Sequence, residues 1–234
     1  MAELFVPNPR SFDRSTRVQQ DNPLPVYMAD QSLAPGSVTV RKLLERNIDL
    51  TAWFAAEGRV FYATDGDQND RVTGQTSFAD TTPTFTLRVP ANTVAIPVLV
   101  ALCQTGTVAG GDVDVLMEFA GIDRYASGGT SENVRNARVG STGTPNNLCT
   151  LYSGATITAT SASLPFGHTP WRLTVGADVS PAEGISNELI WSPTGPDFLE
   201  GPASVNIYTY AGTTGPTWYW TMKWIEIPLE RMGF

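Results

Sequence analysis

The chain has 234 residues, of which 41% are hydrophobic and only 16% charged, against roughly 25% charged in an ordinary soluble domain. That balance excludes a coiled coil and charge-driven disorder. The net charge of −8 disfavours binding to a nucleic-acid backbone, and no apolar run reaches the ~18 residues of a membrane span.

Residues 1–36 hold Pro7, Pro9, Pro23, Pro25 and Pro35 and show no sustained periodicity. Proline fixes φ and pushes the preceding residue toward extended conformations. The segment is therefore read as an extended N-terminal arm. Leu4, Phe5, Phe12 and Tyr27 would anchor it to its own domain or to a neighbour. The opening Met1-Ala2-Glu3-Leu4-Phe5 lacks a basic region followed by an apolar one, so no signal peptide is expected.

From residue 37 onward the hydrophobic period is two, and residues 37–234 are read as one domain. Val38 and Val40 begin the pattern, and Arg41 to Arg46 could form a helical turn or two. Phe85, Leu87 and Val89 alternate with Thr84, Thr86 and Arg88. Val94 to Leu102 is apolar throughout apart from Pro97. It reads as a central strand with the proline at a bulge or an edge. Val113, Val115, Met117 and Phe119 alternate with polar residues, as do Ala155, Ile157 and Ala159, and then Trp171, Leu173 and Val175. The strongest segment is 217–227, with Trp218, Trp220, Met222 and Trp224 on one face. Strands with one buried and one wet face, punctuated by Gly, Pro, Asn and Asp, predict an all-β antiparallel sandwich of roughly ten strands. A jelly roll is the expected form. Two stretches, 122–147 and 176–203, read as long irregular loops.

Chemistry-bearing patterns are sparse. The lone histidine, His168, stands in Phe166-Gly167-His168-Thr169-Pro170-Trp171; that setting suits a turn or packing residue, and no Gly-x-Ser-x-Gly elbow accompanies it. Cys103 and Cys149 sit in apolar contexts, which fits either two buried free thiols or one disulfide. Neither phosphate-binding glycine motif is present. Asp65, Asp67 and Asn69 place oxygen ligands at alternate positions, a pattern that suits Ca²⁺. The residues of a Ca²⁺-binding loop fail at Asp70 and Thr76, and a solvated hairpin tip explains the same cluster. Glu118 with Asp112 or Asp114 could pair on one strand face as glycosidase carboxylates do, but any β protein offers such pairs. Trp218, Trp220 and Trp224 share a face that reads as core, as subunit interface or as a stacking platform for sugars.

The stretch Phe85-Thr86-Leu87-Arg88-Val89-Pro90-Ala91-Asn92-Thr93-Val94-Ala95-Ile96-Pro97-Val98, followed by Val100-Ala101-Leu102, the Gly-Gly-Asp turn and the strand Val113 to Phe119, resembles a segment of viral virion proteins. These are single jelly-roll proteins that decorate or cement the capsids of tailed phages. The resemblance covers residues 80–125 in detail. It implies a structural subunit on the virion surface, typically a homotrimer, made in the host cytoplasm and acting through contacts with the shell protein and with copies of itself. No catalysis, cofactor, nucleic-acid contact or membrane contact is expected. Phe5, Phe12, Trp218, Trp220 and Trp224 are the expected interface residues. A carbohydrate-binding jelly-roll module of a phage adhesin or receptor-binding tip is the alternative. The position of the tryptophans separates the two: buried between subunits in the first, exposed as a platform in the second.

Overall fold

The computed structural model describes residues 4–5, 17–18, 50–64, 71–105, 111–140, 146–176, 187–195, 197–212 and 214–231. The chain divides into two compact units, Met1–Trp53 and Phe54–Phe234. In the first, strand β1 (Leu4–Phe5) pairs antiparallel with β2 (Arg17–Val18). The rest of the expected arm, the side chains of Phe5 and Phe12 included, lies outside the described residues, as do Val38–Arg46.

Helix α1 (Leu50–Ala56) stops at Gly58, whose φ of 73° is left-handed. Gly58 N donates to Ala55 O at 3.0 Å and Arg59 N to Phe54 O at 2.8 Å. This pairing satisfies the last carbonyls, and glycine enters the left-handed region without a Cβ penalty.

The strands that follow are β3 (Val60–Thr64), β4 (Val72–Thr73), β5 (Phe85–Val89), β6 (Thr93–Gln104), β7 (Asp112–Ala120), β8 (Tyr125–Ser127), β9 (Thr130–Ser131), β10 (Arg135–Asn136), β11 (Thr150–Ser153), β12 (Thr156–Ile157), β13 (His168–Gly176), β14 (Glu188–Trp191), β15 (Leu199–Glu200), β16 (Ala203–Ala211) and β17 (Thr217–Pro228). One sheet runs β10-β3-β17-β6-β14, with β4 and β15 at its margins; the other runs β13-β7-β16-β5-β11-β9. Number β3, β5, β6, β7, β13, β14, β16 and β17 from one to eight. The first sheet is then ordered one, eight, three, six and the second five, four, seven, two, which is the double Greek key of a jelly roll. The expected all-β sandwich is therefore the fold.

The core lies between the sheets. Phe61, Val100, Leu102, Trp218, Trp220, Met222 and Trp224 from the first sheet meet Phe85, Leu87, Val115, Met117, Val205 and Ile207 from the second. Strand β6 explains its own apolar run. Val100 and Leu102 face this core, as do Ala95 and Pro97, whereas Val94 and Ile96 pack outward in a second cluster with Phe54 and Ala55 of α1. The inward set changes from even to odd numbers at the register shift where Lys223 pairs Leu99 and Trp224 pairs Pro97. The extra residue at Val98 is the β-bulge expected beside a proline that cannot donate to the ladder.

Two expectations change. The supposed loop 176–203 contains β14, which pairs β6 from Glu188↔Cys103 to Trp191↔Val100, and β15. The 122–147 stretch contains β8, β9 and β10. Short strands of two to four residues are too brief for alternation to register in the sequence.

Candidate interaction surface

The outer face of the β7–β16 pair carries a buried polar cluster. Alternation places Leu116 and Glu118 of β7, and Ser204, Asn206 and Tyr208 of β16, away from the core. They are nonetheless buried: Ile157 and Phe166 pack on Leu116 and Tyr208, Gly167 N donates to Glu118, and Ser204 Oγ donates to Ile122 O. Glu118 Oε2 accepts from Arg124 Nη1 at 2.5 Å, Asn206 Nδ2 at 2.8 Å and Tyr208 Oη at 3.2 Å; Oε1 accepts from Gly167 N at 2.8 Å. Arg124 is as buried as Glu118. It gives Nε and Nη2 to Thr158 O at 3.0 and 2.6 Å, and Nη2 to Asp80 O at 3.2 Å. Asp80 accepts from the Thr160 hydroxyl and backbone N–H. Burial, and then the Glu118 charge, pushes the Tyr208 phenol far up.

This arrangement is a latch. It ties the segments at Asp80, Arg124 and Thr158–Gly167 to one sheet face. Both Glu118 oxygens are spent on internal donors, so the sequence pairing of Glu118 with Asp112 or Asp114 as hydrolytic carboxylates does not describe this group. A polar row such as Ser204, Asn206, Tyr208 reads as a wet face. Only the covering segment makes it interior, and no local pattern announces that segment.

Other chemistry is equally committed. Trp218, Trp220 and Trp224, expected at an interface, are 0, 2 and 0% exposed within the single chain. Their even spacing points them all between the sheets, so they offer surface neither to a subunit nor to a sugar. Both cysteines are free. Cys149 is buried beside Glu226, and burial pushes its thiol well up. Glu226 Oε1 accepts from Trp224 Nε1 at 2.7 Å, and its two oxygens take the N–H groups of Leu148 and Cys149. His168 is exposed, 6.2 Å from the Phe119 ring. It borders an open hollow of about 240 Å³ also lined by Gly121, Asp197, Phe198 and Glu200. Among the described residues no three His, Cys, Asp or Glu converge as a metal site. Asp65, Asp67 and Asn69 lie outside the described residues.

What remains outward is an edge. Strand β13 closes the second sheet and pairs only with β7 among the described strands. Six of its nine residues are exposed, Leu173 at 36%. Trp171 and Val175 pack on the core from the inner face. Arg172 and Thr174 therefore take the outer face, where Thr174 Oγ1 donates to Asp114 Oδ1 at 2.5 Å. An open edge presents unpaired N–H and C=O groups to another chain. Exposed apolar side chains stand elsewhere on the surface, Ile190 at 58%, Phe198 at 54% and Val139 at 82%. No protein-family model matches the sequence, and no curated protein matches it.

Proposed function

We propose that the protein is a virion structural subunit of the decoration or cement type, which stabilises a viral capsid by protein–protein contact at the capsid surface. The observation that carries this reading is the β13 edge, unpaired among the described strands, on a jelly roll whose tryptophan rings are packed in the core and whose buried carboxylates are bonded within the fold. Such a molecule works by surface and not by turnover. The segment that resembles virion proteins, 85–98, spans β5, the turn at Asn92 and the start of β6. Its partners are the shell protein and copies of itself. The N-terminal arm, through Phe5 and Phe12, is the proposed tether to the shell. The acidic balance of −8 suits a position outside the shell better than one against packaged nucleic acid.

The test adds the purified protein to expanded capsids and measures their resistance to heat or chelator. Resistance rises, because binding to the assembled state alone stabilises that state. Deleting residues 1–30 lowers the gain, and His168→Ala leaves it intact. Capsids equally stable with and without the protein overturn the proposal, and tight binding to a defined glycan replaces it with the adhesin reading.

A further inference from the structure

We propose that β13 is a self-pairing edge: two copies join their second sheets antiparallel across a twofold axis at Leu173. The inference rests on the surface-contact reading above and names one of its partners, a second copy of this chain.

The strand is self-complementary about that residue. An antiparallel twofold at Leu173 sets Leu173 against Leu173 of the other copy, Trp171 against Val175, and Arg172 against Thr174. On the inner face the row Trp171, Leu173, Val175 is apolar throughout, and its central member is the exposed one. Meeting its twin covers it and extends the core row from one copy into the next. On the outer face Arg172 is exposed. Across the axis it faces Thr174, which is bonded to Asp114 in register on β7. A cation of each copy thus lands beside a carboxylate of the other, twice over by symmetry. The strand's protected end lies at its start, where Pro170 lacks an N–H and the register with β7 shifts between His168 and Trp171. The stretch from Trp171 to Val175 has regular register with β7 and no proline, so it can accept a partner; beyond it Gly176 O already takes Asn187 Nδ2 at 2.8 Å.

An isologous contact of this kind closes at two copies. The expected species is a dimer, at twice the 25.2 kDa of the chain, and not the trimer that the resemblance implies.

Sedimentation velocity on the full chain at micromolar concentration reads the mass. The expected result is the dimer. Arg172→Asp places like charges across the axis, and Asp114→Arg does the same with the opposite sign. Each variant alone sediments as a monomer, with the far-ultraviolet circular dichroism of the parent. Mixed in equal amounts, the two restore the dimer mass, because each aspartate then faces an arginine of the other copy. A contact within one chain cannot be rescued by mixing. A parent that stays monomeric at every concentration overturns the proposal, as does a parent dimer that both variants leave intact or a mixture that stays monomeric. Capsid stabilisation is scored separately: dimers that leave capsids unprotected sink the virion reading alone, and monomers that protect them sink this one alone.

Discussion

Trp220 lies nearly flat on Phe85, the ring centroids 4.6 Å apart and the planes at 18°. One ring belongs to β17 and the other to β5, so the stack bridges the two sheets at the centre of the core. Removing a buried aromatic side chain costs about 3–5 kcal/mol through lost burial and the cavity left behind. Trp220→Ala is therefore expected to lower the unfolding free energy by that order in a urea titration. A variant as stable as the parent would show that the indole is not packed as described.

The Glu118–Arg124 pair should behave as an all-or-none unit. Removing one partner leaves the other charge buried without its counterpart, a loss of about 3–5 kcal/mol. Arg124→Met and Glu118→Gln should each destabilise markedly. The double variant should lose far less than the two losses summed, because both act on one network. Chemical denaturation of all four proteins completes the cycle, and simple additivity would deny the latch.

Two carboxyl groups set opposite responses to acid. Burial holds Glu226 above its ordinary value of 4.5, although the N–H groups of Leu148, Trp224 and Cys149 pull it down. The folded state therefore binds this proton more tightly than the unfolded chain does. The cost of its buried charge is present above the raised value and is relieved as pH falls through it. Asp80 is held below its ordinary 3.8, first by the Thr160 hydroxyl. Its contribution is present above 3.8 and is lost as pH falls through the depressed value. The parent should gain stability relative to Glu226→Gln as pH falls from 7 toward 4.5. It should lose stability relative to Asp80→Asn below 3.8. Thermal unfolding across that range checks both slopes, and pH-independent differences would contradict them.

The two thiols should separate by reactivity. Thiolate is the reactive form, and Cys149 is both fully buried and pushed toward the thiol. Cys103 is partly exposed on the outward side of β6. With a chromogenic disulfide reagent, one equivalent should react in the native protein and the second only on unfolding. Cys103→Ser should abolish the native phase.

Long strands were legible because alternation persists over enough residues. Phe85–Val89, Val113–Phe119 and the tryptophan strand all fall where the period of two places them, and the bulge beside Pro97 follows from the missing N–H. Helix α1 escaped because seven residues, Leu-Thr-Ala-Trp-Phe-Ala-Ala, span under two turns, too short for a 3.6 period. The tryptophan face was legible as aromatic but not as core, since alternation tells which side chains share a face and not what covers it. The same gap hid the latch. Glu118 and Asn206 look solvated until the residues at 155–167 fold back over them.

The parity change in β6 carries a consequence for how this chain tolerates change. Most strands absorb a substitution locally, but here the two ends of one strand obey opposite inside–outside rules, joined through Val98. Straightening the bulge with every residue kept would leave an unbroken two-residue rhythm and an inverted sheet end. Val94 and Ile96 would turn inward, while Ala95 and Pro97 would turn out beneath α1. The bulge is therefore the constrained feature at this point in the chain: losing Val98 would remove it and keep Val94 and Ile96 outward, whereas losing the bulge at full length would not. Exchanges of one aliphatic for another between Pro97 and Val100 are mild events, whereas a change that forces the strand straight at its present length dislodges the seat of the helix and the floor of the core together.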